Sequence, residues 1–299
     1  VSGGLRTGRD RAGGRPLRPR PLFLPEPGRP FAVVPDETTG NEPPAPEVPE
    51  YGIFGVHPVD PEPVFRYRWI LGHQVSFALW RAMSGIIGDH ESTVPGPAEL
   101  DSLAAFVDGY SAALLYASTV PRPHYHSHVR RSMALQHPAF SGTWAPDYRP
   151  VGRLFRGKMR WQGGLSCAGL DAAMARNAAT HDYLADHLVP NGRSLLRQSA
   201  HEAASTVSRE KEALYDEFFL TVRRPVGRAE FVRQLRARVA EVGQDLACHG
   251  LYPNVGGQHH PVVSGPAGAA LITLVPEVLR TLARAARFVA APRLQGVGR

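Results

Sequence analysis

The stretch Trp69-Ile70-Leu71-Gly72-His73-Gln74-Val75-Ser76-Phe77-Ala78-Leu79-Trp80-Arg81-Ala82-Met83 constrains this chain more than any other. Read at helical period, Trp69, His73, Phe77 and Trp80 fall on one face, flanked by Ile70 and Leu79, so a single imidazole sits within an aromatic stripe. A helix carrying that stripe faces either the protein core or a large flat apolar ligand. In either place the imidazole needs a hydrogen-bond partner or a ligand to serve, because a buried polar group left unpaired is costly. On periodicity alone, a satisfied core histidine is the plainer of the two readings.

Helical patterning continues along the chain. It runs from Val64 to about Ile87, breaks at Pro95-Gly96-Pro97, and resumes from Ala98 to Val120. Further helices are expected over Leu170 to Leu188, Ser194 to about Val222, Arg228 to Leu246 and Pro266 to about Val289. No sustained strand alternation accompanies them, so the expected fold is all-α, a helical bundle. Residues 1–50 are rich in Arg, Pro and Gly, with Pro43-Pro44-Ala45-Pro46 near their end. Such a segment buries too little apolar surface to offset chain entropy, which predicts a disordered or extended arm ahead of a single helical domain over 51–299. Within the arm, Pro21-Leu22-Phe23-Leu24-Pro25 and Phe31-Ala32-Val33-Val34 are apolar enough to dock on the body or on a second copy of the chain. A homodimer is therefore a candidate assembly.

The chain of 299 residues carries a net charge of +7. Residues 1–30 hold seven arginines against Asp10 and Glu26, which places +5 of the excess in the arm. The remainder has no basic stripe interleaved with aromatics, so nucleic acid is not an expected partner. No apolar run approaches membrane-spanning length, and Val1 to Gly14 reads as neither signal nor anchor, so no membrane is expected either. Cys167 and Cys248 are isolated and lack a Cys-x-x-Cys-His pattern, which predicts reduced thiols and a cytoplasmic location.

His73-Gln74, followed after four residues by Leu79-Trp80, resembles the distal-histidine helix of tryptophan 2,3-dioxygenases, His-Gln-Ala-Tyr-Glu-Leu-Trp. The chain has one residue more between the two pairs and lacks the glutamate. The likeness points to the histidine-ligated, heme-dependent aromatic oxygenases. Within them, the length and the Arg/Ala/Pro-rich, actinomycete-like composition look most like the heme-dependent L-tyrosine 3-hydroxylases of antibiotic biosynthesis. The resemblance implies heme b enclosed in the bundle, L-tyrosine as substrate, hydrogen peroxide as oxidant and L-DOPA as product. It makes His73 the distal acid/base group and sets Trp69, Phe77 and Trp80 as walls against the cofactor and the substrate ring. It also places a substrate-carboxylate arginine at Arg130 or Arg131, because His137-Pro138-Ala139-Phe140-Ser141-Gly142 follows much as Ser-Pro-Ala-Ser-Gly-Phe does in the dioxygenases. For the iron's proximal ligand it implies His181, which Pro190-Asn191-Gly192-Arg193-Ser194 follows, with His201 as the alternative.

Other readings compete. A tryptophan or indole dioxygenase would share the heme site and use dioxygen. A non-heme metalloenzyme would use His124, His126 and His128, which point one way if Pro121 to Pro150 is an extended loop. A heme-free helical protein would bind an acidic partner through the arm. The run Arg153, Arg156, Lys158, Arg160 is either a solvated face or the rim of the site, and Cys248 to Gly265 reads as a lid or pocket wall. No Gly-x-Ser-x-Gly elbow, His-Glu-x-x-His or P-loop is present.

Overall fold

The computed structural model describes residues 18–33, 61–162, 164, 167–189, 194–195, 207–249 and 266–290. In chain order its elements are β1 (Leu22–Leu24), α1 (Pro61–Asp89), α2 (Pro97–Ala117), α3 (Arg122–His124), a π-helical turn (Tyr125–Arg130), α4 (Arg131–Gln136), a 3-10 turn (Gly142–Trp144), α5 (Tyr148–Phe155), α6 (Ala168–Leu188), α7 (Arg209–Phe218), β2 (Thr221–Arg223), α8 (Arg228–His249) and α9 (Pro266–Ala290). The architecture is all-α. Among the described residues, no single helix is long and apolar enough to cross a membrane.

Helix α1 is the axis of the bundle. From Trp69 to Ile87 its one charged side chain is Arg81, and a helix apolar on every side belongs inside. Leu71, Val75, Phe77, Leu79 and Met83 are all buried. Helix α2 opens with Pro97, whose fixed φ suits the first helical position, and the Glu99 carboxylate accepts the Gly96 N–H at 2.9 Å. It packs against α1, α6 and α9, while α8 packs against α1 and α9. Two glycines allow the closest crossings. A Cβ at Gly72 would lie 2.7 Å from the Ala117 Cβ and 2.9 Å from the Ala113 carbonyl, and one at Gly109 would lie 2.8 Å from the Ala285 Cβ.

Two expectations are corrected and one is narrowed. First, of the two places open to the Pro21–Pro25 run, the body or a second copy, Leu22–Leu24 dock on the body. Leu22 and Leu24 are fully buried, and β1 pairs in parallel with β2, Leu22 opposite Thr221. Gln234 brackets Phe23, accepting its N–H at 2.8 Å and donating to its carbonyl at 3.0 Å, and Arg238 donates to the carbonyls of Arg20 and Pro21. Second, Pro121 to Pro150 is largely helical rather than an extended loop. Pro121 and Pro123 start a helix, and the turns that follow them carry the histidines. Third, the helix expected to run to Val222 stops at Phe218. Ser208 caps α7 by accepting the Lys211 N–H, and the chain then turns through Leu220 into β2.

A buried ionic cluster locks three helices together. Arg68 of α1 donates from Nε to Asp245 Oδ2 of α8 at 2.7 Å and from Nη1 to Thr119 at 3.2 Å. The Tyr116 hydroxyl donates to Asp245 at 2.7 Å, and His249 Nδ1 lies 2.9 Å from the other carboxylate oxygen. Burial alone would raise the Asp245 pKa. The Arg68 charge and the hydrogen bonds from His249, Arg68 and Tyr116 outweigh it and hold the carboxyl below its ordinary range.

Arg68→Met strands that carboxylate, and denaturant titration at neutral pH should show a loss of about 3–5 kcal/mol. Because the folded carboxyl titrates below its unfolded value of about 3.9, its contribution is present above that pH and fades as the pH falls through the folded value. The difference between Arg68→Met and the parent should therefore shrink below about pH 4.

Candidate active site

A cleft of about 1140 Å³, its open mouth included, lies between α1, α2 and α6, with the Tyr125–Gly142 region and the end of α7 completing its wall. It brings together Trp69, His73, Trp80, Arg130 and His181.

His73 is the centre of the α1 face. Its Nδ1 lies 2.6 Å from the Trp69 carbonyl oxygen, which can only accept, so Nδ1 carries the proton. Nε2 is then the bare nitrogen, turned to the cleft. Desolvation by burial lowers the imidazole pKa to about 4, against the opposing pull of the Trp69 hydrogen bond, so the ring is neutral at ordinary pH. Gly72 places the ring: by letting α1 approach α2 at Ala113 and Ala117, it brings the next residue to the cleft beside Ala117 and Ser118.

Two aromatic rings lie against the imidazole. Trp69 lies at 4.4 Å and a 46° tilt, while Phe219 stacks at 4.4 Å and 17°. Phe219 follows the last residue of α7, and Leu220 after it has φ +53°, a left-handed conformation that costs a side-chain-bearing residue about 1–2 kcal/mol. The amide of the fully buried Gln74 donates to the Phe219 carbonyl at 2.9 Å and to the Arg20 carbonyl at 3.0 Å.

The remaining expected residues separate clearly. Trp80 lines the cleft and packs edge-on to Tyr110 at 5.1 Å. Phe77, expected to face the substrate, lies behind the wall, packed on Trp80, Tyr215 and Phe219. Arg130 is buried and lines the cleft beside Tyr125. Burial raises the Tyr125 hydroxyl pKa, and the charge and hydrogen bond of Arg130 partly offset that rise. Arg131 is exposed and lies outside the cleft, since consecutive helical residues face different ways.

His181 reaches the cleft from α6, where it is exposed at the open side. Its register is set by α2: Arg176 makes two 2.9 Å bonds to Asp108, and the buried Asn177 donates to Ser111 at 2.9 Å. His201 and the Tyr252 to Gly265 stretch lie outside the described residues.

The histidine-rich stretch does not converge on a metal. Helical geometry stacks His124 on His128 at 5.4 Å and leaves His126 against Tyr125, and among the described residues no three metal-ligating side chains meet. Arg153, Arg156, Lys158 and Arg160 are exposed and do not line the cleft, and Arg153 pairs with Glu91 at 3.1 Å. Residues not singled out from sequence include Tyr110, Tyr125, Tyr215 and Phe219. Tyr215 and Phe219 are four residues apart, one in the last turn of α7 and the other just past it, which marks them as neighbours on one face without showing which ring Phe219 covers.

No curated protein matches the chain. A family model does, that of SfmD 3-methyl-L-tyrosine peroxygenase, over residues 28–179, just over half of the sequence. The matched span contains α1 with His73, α2, the Arg130 turn and α6 as far as the residue two short of His181, and the chain belongs to the SfmD 3-methyl-L-tyrosine peroxygenase family.

Proposed function

We propose that the protein is a heme-dependent peroxygenase that hydroxylates L-tyrosine at C3 to L-DOPA with hydrogen peroxide, in a natural-product pathway. The observation that carries this reading is the cleft itself: in a chain of a peroxygenase family, a neutral imidazole, a second histidine from another helix and a buried arginine line one aromatic-walled cleft. The residues present fit heme b. The cleft is open at its mouth, its walls are mainly aromatic and aliphatic, and two imidazoles enter it from different helices.

When bound, heme supplies peroxide activation and the oxidising power for ring hydroxylation. In this reading His181 ligates the iron. His73 acts across the cleft, where Nε2 takes a proton from peroxide or from the substrate phenol and returns it to the departing oxygen. Its low basicity keeps it unprotonated, and therefore ready to accept, throughout the working range. Arg130 holds the substrate carboxylate with its planar fork, a charge-assisted contact strengthened by burial. Trp69 and Trp80 flank the space left for cofactor and ring. The 3-methyl-L-tyrosine in the family's name differs from L-tyrosine by a single ring methyl, so it is the natural competitor in every assay.

The purified protein should show a Soret band that shifts on adding L-tyrosine. His181→Ala should lose the bound heme, whereas His73→Ala should keep it and lose most peroxide-driven turnover. A featureless spectrum after heme supplementation would defeat the proposal. Arg130→Ala should weaken L-tyrosine binding by about 2 kcal/mol, roughly 30-fold, in a spectral titration, while Arg131→Ala leaves it unchanged.

A further inference from the structure

Two residues that touch none of the reacting groups converge on His73. Gln74 is fully buried, and its amide holds the Phe219 carbonyl across 145 residues of sequence as well as the Arg20 carbonyl beside β1. Phe219 lays its ring on the imidazole at 4.4 Å and 17°. Just beyond it, Leu220 is the one non-glycine residue at positive φ among those described, and β2 then pairs with β1. Trp69 also lies against the imidazole, at 4.4 Å and 46°, and its carbonyl accepts the Nδ1–H at 2.6 Å.

The arrangement acts on a specific property of the ring. A neutral imidazole in water places its proton mostly on Nε2, which would turn an N–H toward the cleft and leave no lone pair there. Keeping the proton on Nδ1 requires the ring plane to stay aligned with the Trp69 carbonyl. Turning the imidazole about Cβ–Cγ would drive it through the Phe219 ring, which Gln74 tethers through the backbone. We infer that Gln74 and Phe219 are positioning residues that hold His73 as its Nδ1–H tautomer and so keep Nε2 bare toward the cleft. Both act through His73. Together with Leu220, they connect the docking of the N-terminal strand to the protonation pattern of one side chain.

The test is the imidazole nitrogen signature in the 15N-labelled full chain, recorded by long-range nitrogen–proton correlation. The protein is used as purified, in the ferrous carbon-monoxide form wherever heme is present so that it is diamagnetic, and His73→Ala identifies the signals. The parent should show one protonated nitrogen, Nδ1, and one bare nitrogen, Nε2. Phe219→Leu, and separately Gln74→Met, should move both signals toward the average of two exchanging tautomers. Phe219→Tyr, which keeps the stacked ring, should restore the parent pattern.

In turnover, Phe219→Leu should lower kcat by at least about tenfold with little change in KM, as expected when a proton acceptor is lost. An unchanged Nδ1–H pattern in cooperatively melting Phe219→Leu protein would overturn the inference. That comparison decides the matter even if Gln74→Met does not fold. The signature is independent of the proposed chemistry on which the turnover arm rests. A protein that takes up no heme, yet shows the tautomer change, would sink the heme reading and leave the positioning role standing.

Discussion

Arg68 and Asp245 face each other with no access to water, and the geometry around the cleft is built outward from that pair. Removing two charges from water is expensive. Here the cost is offset by hydrogen bonds that Asp245 accepts from Tyr116 and shares with His249 and that Arg68 donates to Thr119, which join α1, α2 and α8 at one point. Trp69, whose carbonyl orients the imidazole, is the next residue along α1. Gly72, which lets α2 approach, comes three positions later, and His73 follows it. Six consecutive residues, Arg68 to His73, thus carry the anchor, the crossing and the working nitrogen. Their order in sequence is the order in which one constrains the next.

The same desolvation has opposite consequences on the groups around the cleft. It keeps His73 uncharged, and it raises the hydroxyl pKa values of Tyr110, Tyr125 and Tyr215, which stay protonated. His73 and these tyrosines are therefore all neutral, and Arg130 brings a guanidinium to the wall of the cleft. An amino-acid carboxylate entering such a space has a defined place to go. The aromatic ring is left to the tryptophan-walled remainder.

The helices were legible because their apolar periodicity is strong and their punctuation is proline and glycine. The α1 face was legible in particular, because bulky aromatics repeating at helical spacing leave few alternatives. Tertiary pairing was much less so. Three-residue strands leave almost no periodic trace, so β1 read as part of an arm although Leu22 and Leu24 are core residues. Arg130 and Arg131 are adjacent, and only the register of the π-helical turn separates a buried guanidinium from an exposed one. The alternate histidines at 124, 126 and 128 suggested convergence only for an extended chain, and two prolines at a helix start remove that premise. Phe219 was out of reach because the ring it covers lies far away in sequence, and nothing local announces such a partner.

The parallel pairing of β1 with β2 also sets a timetable for the growing chain. Leu22 finds its partner at Thr221, and His73 finds its stacking ring at Phe219, so neither is satisfied until residues 219–221 have been made. Contacts this distant are slow to form, and until they do, the apolar α1 has no complete coat. The cleft is consequently complete only once α7 and the turn into β2 have been made, and until then the aromatic face of α1 is open to association with other chains.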